Sequence, residues 1–237
     1  MIENLKIICA IKRLPPKQKP LAAPDHIDSV VITEKFELEN QHGSWNKDII
    51  KWWIKGEVDE FFAERENFMR RVFNTAFTEW DIEIPLIFIQ AESEADADII
   101  IEWGTRQNDP YYSGDNGRYV LAYAGYPEGR LKGYMKIFTH WDWDVKGNLN
   151  IVTVIIHELG HLIGRPHSER KLWKDLMDPI INKLIVELSD WDITGAVAEY
   201  GARIYKSDTG HDRLEKANRK GKIRLQLKTL TSITGKS

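Results

Sequence analysis

Between Ile151 and Ile163 the chain reads Ile-Val-Thr-Val-Ile-Ile-His-Glu-Leu-Gly-His-Leu-Ile. The run is too long for an ordinary strand and is apolar and almost uninterrupted, so it predicts a helix. Asn148 is the expected N-cap, and Gly164 ends the helix after Ile163. Two imidazoles and a carboxylate lie inside this helix. Buried polar groups are costly unless partnered, so the rest of the chain has to fold around whatever His157, Glu158 and His161 hold.

Their spacing says what that is. Residues four apart share one helical face, so His157 and His161 aim at one point. Imidazole nitrogen is a good ligand for Zn²⁺. Glu158, next to His157, sits beside that point rather than on it, within reach of a metal-activated water. Gly164 can adopt the left-handed conformation that turns the chain, and His167, three residues on and after Pro166, can return to the same ion. A lone histidine on an apolar face reads as an ordinary core residue. The whole stretch, His-Glu-Leu-Gly-His-Leu-Ile-Gly-Arg-Pro-His, does not. Three neutral imidazoles leave a fourth coordination position open, the arrangement of catalytic rather than structural zinc. Leu176-Met177-Asp178-Pro179 follows, with Met177 ten residues after His167. Met177 is the expected thioether floor beneath the imidazoles.

The remaining pattern is mixed α/β. Strands are expected at 27–38, 49–54, 84–89, 97–103, 118–124 and 134–139, with helices at 57–80 and 189–200. In the last, Ser189 and Asp192 form a capping box and Gly201 is the stop. The chain has 237 residues and nine tryptophans, enough for one well-filled domain with appendages. Cys9 is the single cysteine, so no intrachain disulfide can form. The N-terminal apolar run is short, is broken by Lys6, and makes a poor signal peptide. No apolar run of about 18 residues predicts a membrane span. From Arg203 onward ten basic residues face three acidic ones, net +7; residues 1–202 therefore carry −10 of the total −3. Such a tail suits nucleic acid, an anionic surface or the body itself, or is simply solvated.

On these motifs the chain resembles the matrixins, the catalytic domains of matrix metalloproteinases within the metzincin zinc peptidases, from about Trp45 to Gly201. Ser168 after the third histidine carries the resemblance. So do the 176–179 turn, Leu188-Ser189-Asp190-Trp191-Asp192-Ile193 with Gly195, Tyr200 and Gly201, and, upstream, Ala76-Phe77-Thr78-Glu79-Trp80, Pro85-Leu86-Ile87-Phe88, Ala97-Asp98-Ile99 and Leu121-Ala122-Tyr123-Ala124. The resemblance implies an α/β metzincin fold: a twisted five-stranded, mostly parallel sheet with one antiparallel edge strand, and three helices. With the composition and charge pattern, it divides the chain into an N-terminal extension or pro-segment at 1–43, a matrixin-like catalytic domain at 44–202 and a basic tail at 203–237. It also implies a monomeric, extracellular metalloendopeptidase for peptides or proteins, with Glu158 as general base. An extended substrate is expected to add to the edge strand at Leu121, Ala122 and Tyr123. The pocket wall is expected at Pro179, Ile180 and Ile181, favouring an apolar side chain after the scissile bond.

Two departures from the family pattern stand out. Gln107, Tyr123 and Lys136 occupy places where matrixins commonly carry histidine ligands of a second zinc, with Asp109 retained and His140 out of register. No structural zinc is therefore expected. Hard oxygens for a calcium ion are available at Asp109, Asp115 and Asn116, or at Asp142 and Asp144. Cys9 lies outside the usual setting of a zinc-capping propeptide cysteine, and Asp25 or His26 offers an alternative cap. A non-catalytic metal-binding module and a protease tethered through its basic tail are the competing readings.

Overall fold

The computed structural model describes residues 7–8, 42–55, 66–104, 109, 120–139, 141, 143, 150–170, 174–181, 187–204 and 220. Five strands form the main sheet: β2 (Ile49–Lys55), β3 (Ile87–Gln90), β4 (Ile99–Gly104), β5 (Ala122–Ala124) and β6 (Tyr134–Phe138), following a short N-terminal strand, β1 (Ile7–Ile8). Their spatial order is β3-β2-β4-β6-β5. β2 is parallel to β3 and β4, β4 is parallel to β6, and β5 is antiparallel to β6. The expected mostly parallel sheet with one antiparallel edge strand is what forms.

Helix α1 (Glu66–Asp81) presents Met69, Val72, Phe73, Ala76, Phe77 and Trp80 to the core, all nearly or fully buried. These positions recur at three and four, the spacing of one helical face. Phe77 stacks on Trp52 of β2 at 5.1 Å and meets Phe88 of β3 at 4.9 Å, which seats the helix on the sheet. Helix α2 (Ile151–Leu162) is buried at every residue, as its composition requires. Indole N–H groups tie it to its surroundings: Trp80 donates to the Ile156 carbonyl (3.0 Å) and Trp45 to that of Leu162 (2.7 Å). Helix α3 (Asp190–Tyr200) follows a two-residue strand, β7 (Ile180–Ile181), which pairs antiparallel with β1.

Some boundaries differ from expectation. The N-cap of α2 is Asn150, whose side chain accepts from Val152 and Thr153 N–H groups; Asn148 lies outside the described residues. The strand expected from Ile84 begins at Ile87, because Ile84 N–H still donates to the Trp80 carbonyl at the end of α1. The edge strand is three residues long, and Arg118 and Tyr119 lie outside the described residues, as do 27–38 and 56–65. The capping box of Ser189 and Asp192 and the stop at Gly201 form as expected.

Candidate metal centre

His157, Glu158 and His161 stand on the last two turns of α2. Beyond them Gly164 takes φ +86°, and a side chain there would collide with the Gly43 carbonyl, so only glycine fits. Gly164 N–H donates to His161 O (2.9 Å) and Arg165 N–H to Gly160 O (2.8 Å), which seals the helix end and reverses the chain. The reversal brings His167 back to α2. The Nε2 atoms of His161 and His167 lie 3.1 Å apart. Ring centroids of the three histidines are 4.6–5.2 Å apart, and their ligand atoms all fall within 4.8 Å of one another.

The tautomers are set from behind. His157 Nδ1 donates to the Leu176 carbonyl (2.8 Å) and His161 Nδ1 to the Arg165 carbonyl (2.8 Å), which leaves the Nε2 lone pairs facing inward. His157 Nε2 is buried and has no hydrogen-bond partner among the described residues. Two inward lone pairs at 3.1 Å and an orphaned third nitrogen suit a shared cation. The His161–His167 pair, at 3.1 Å, is near the roughly 3.4 Å that two tetrahedral zinc ligands at about 2.0–2.1 Å span, and the full set lies within 4.8 Å. Electrostatics agree. Burial holds His157 below the ordinary imidazole pKa. Burial and the neighbouring imidazoles hold His161 and His167 well below it, so all three are neutral, metal-binding bases near pH 7. Glu158 is fully buried beside them.

A scaffold invisible in the sequence pattern holds this cluster. The Asp192 carboxylate caps its own helix through Ser189 N–H (2.8 Å) and also accepts from Leu176 N–H (2.8 Å) and Met177 N–H (3.1 Å). Leu176 in turn receives His157. Ser168 N–H donates to the Met177 carbonyl (2.7 Å), and Asp175 receives the hydroxyls of Ser168 and Ser189 (2.5 and 2.8 Å). Met177 is fully buried against Gly160, between the two helical histidines. Tyr126, itself in edge contact with His42 at 4.4 Å, meets His161 edge-on at 5.4 Å. The Ser189–Asp192 spacing foretold a cap. Nothing in it foretold that the same carboxylate would hold the methionine turn.

The expected substrate residues lie at β5 and in the segment that follows Met177. Ala122 and Tyr123 lie on β5, the last strand of the sheet, paired with Ile137 and Lys136; the preceding Leu121 carbonyl accepts from Phe138 N–H (3.1 Å). The Tyr123 side chain is committed elsewhere, its hydroxyl donating to Asp109 (3.2 Å). Pro179 is buried, and Ile180 and Ile181 pair with Ile8 and Ile7.

Where matrixins commonly hold a second zinc, Lys136 Nζ lies 2.6 Å from the buried Asp109 carboxylate and 3.4 Å from Glu102, whose other oxygen accepts from Tyr134 (2.8 Å). Burial and the adjacent carboxylates push the phenols of Tyr123 and Tyr134 up, keeping both protonated as donors. Cys9, Asp25, His26, Gln107, Asp115, Asn116, His140, Asp142 and Asp144 lie outside the described residues. From the tail, Arg203 bonds the Ile84 and Leu86 carbonyls (3.1 and 2.6 Å) and pairs with Asp81, while Lys220 pairs with Glu83 (2.7 Å). No described helix is long and apolar enough to cross a membrane.

Residues 44–201 match the family model described as Matrixin, of the M10 peptidases. Karilysin of Tannerella forsythia is 31% identical over 166 residues, covering 65% of this chain and 34% of that protein. A probable matrix metalloproteinase, 095L, of Invertebrate iridescent virus 3 is 26% identical over 67% of this chain and 45% of its own length. Stromelysin-1 of Equus caballus is 34% identical over 52% of this chain and 26% of its own. The chain thus spans less than half the length of each of these relatives.

Proposed function

This chain belongs to the matrixin family, and from that premise we propose that it is a zinc-dependent metalloendopeptidase whose metal is held by His157, His161 and His167. The observation that carries the reading is the convergence of three neutral imidazoles with inward Nε2 lone pairs, one of them orphaned in a buried site. Zinc supplies, when bound, the Lewis acidity that makes water nucleophilic near neutral pH and polarises a peptide carbonyl.

The chain's own residues do the rest. Glu158 takes the proton of the attacking water and later delivers it to the leaving amine. Its burial beside the histidines, one residue from His157 on the same helix, supports this role. The outer edge of β5, through the backbone of Leu121, Ala122 and Tyr123, binds the substrate as an added strand. Pro179, Ile180 and Ile181 wall a pocket that favours an apolar residue after the scissile bond. Met177 closes the floor.

One zinc per chain is the expected content. The Lys136 ammonium already neutralises Asp109, so a second zinc or a calcium ion at Asp109 would have to displace it. Segment 1–43 acts as a pro-segment: the pairing of Ile7–Ile8 with Ile180–Ile181 puts an N-terminal strand on the backbone assigned to the pocket wall. The basic tail works on the body itself, as the Arg203 and Lys220 ion pairs suggest. The family resemblance favours an extracellular site of action.

The reading is tested by incubating the purified chain with zinc and a peptide library and identifying products by mass spectrometry. Cleavage that stops with a chelator and returns with zinc supports it. A protein that binds zinc at the three histidines and cuts no peptide would leave a metal-binding module.

A further inference from the structure

Arg165 does two things at once. Its main chain closes α2, with N–H donating to Gly160 O, and its carbonyl receives His161 Nδ1–H at 2.8 Å. Its side chain runs to α3. There the guanidinium carbon lies 4.6 Å from the centroid of the Trp191 ring, and the head rests on the bare backbone of Gly195, where a Cβ would overlap Cζ and both terminal nitrogens. Trp191 and Gly195 are four apart, so they form a stacking wall and a floor on one face of α3. Arg165 Nε is buried with no hydrogen-bond partner among the described residues. Stacking, rather than hydrogen bonding at Nε, therefore holds that part of the head; a planar guanidinium is well suited to this.

The geometry points to Arg165 as a positioning residue for His161, its guanidinium locked in a slot formed by Trp191 and Gly195 so that its carbonyl stays aimed at the imidazole. Helix α3 thereby orients two of the three metal-binding rings by separate routes. Asp192 acts through Leu176 on His157; Trp191 and Gly195 act through Arg165 on His161. A histidine whose rear partner wanders loses its tautomer and direction, and loss of such partners typically weakens metal affinity by about 10–100-fold. The inference rests on the zinc reading above.

The test is a double-mutant cycle on zinc affinity, measured by competition with a chromophoric chelator, using the full chain and the variants Gly195→Ala, Arg165→Ala and the two combined. Gly195→Ala should weaken zinc binding by about 10-fold or more by evicting the guanidinium. In the Arg165→Ala background the same change should cost little, because nothing remains to evict. In parallel, the His161 Nδ1 proton of the zinc-loaded protein should exchange with solvent faster in Gly195→Ala than in the parent, a signature that a general loss of packing would not single out. Additive losses across the cycle, or unchanged affinity and exchange in a folded Gly195→Ala protein, overturn the assignment. Should Gly195→Ala not fold, Trp191→Leu replaces it in the cycle with the same expected non-additivity. A parent chain that binds no zinc would instead sink the metal reading on which the proposal stands.

Discussion

The thioether of Met177 occupies the space where a side chain on Gly160 would begin. Gly160 lies between His157 and His161 on α2, so the methionine packs directly under the segment that carries both rings. The closeness of the two elements depends on that glycine having no Cβ.

Gly160→Ala follows from this contact. Helix propensity alone would favour alanine by about 1 kcal/mol. Overpacking against Met177 costs about 1–3 kcal/mol and should win. The variant is expected to melt at a lower temperature and to bind zinc less tightly. A melting temperature above the parent's would show that Met177 yields and that the contact is not limiting.

Glu158 separates chemistry from metal binding. Glu158→Gln preserves volume and should retain one zinc per chain by elemental analysis, while kcat/KM falls by roughly 10²–10⁴-fold, the range for loss of a general base. Activity close to the parent's would remove Glu158 from the proton-transfer role.

Lys136, on β6, pairs with the buried Asp109 carboxylate. Lys136→Met strands the buried Asp109 carboxylate and should destabilise the fold by about 3–5 kcal/mol. Lys136→Met combined with Asp109→Asn should recover part of that loss, because the orphaned charge is gone. Denaturant midpoints measure both, and zinc content should stay at one per chain. A folded parent carrying two zinc ions would contradict the role given to Lys136.

The histidine pKa directions set a pH dependence for the metal-free protein. Burial lowers His157, and burial with the neighbouring rings lowers His161 and His167, relative to an unfolded value of about 6.5. As pH falls below about 6.5 the unfolded chain takes up protons that the folded one resists, so stability present above that pH is progressively lost below it. Unfolding midpoints of chelator-treated protein at about pH 8 and about pH 5 should therefore fall with acidification. A histidine contribution of the opposite sign, isolated by repeating the pair of measurements on His167→Ala, would refute the assignment.

The N-terminal strand bears on access. Because Ile7–Ile8 pair with Ile180–Ile181, a chain lacking residues 1–41 should cleave a peptide substrate with higher kcat/KM than the full chain. Equal rates from both would show that the pairing leaves the site open.

Much of this protein is written in short-range pattern. The buried helix, the two histidines on one of its faces, the glycine stop and the capping box each depend on residues within about one or two turns of one another, where local geometry leaves little freedom. That is why the 157–167 stretch could be read as a metal centre from spacing alone. The start of β3 was misplaced because a hydrogen bond back to Trp80 prolongs the turn after α1. The N-cap was misplaced because two asparagines stand two residues apart, and only the assembled helix shows which one the N–H groups meet.

The rest needed the chain brought together over long separations. Asp192 reaches Leu176 and Met177, Arg165 reaches Trp191 and Gly195, and Lys136 reaches Asp109, in each case between residues far apart in the sequence. The sequence by itself determined which way the rings of His157 and His161 point, since side chains four apart on a helix share one face. Tertiary structure alone decided what stands behind those rings, because a hydrogen bond between distant segments depends on how the sheet and three helices settle against each other.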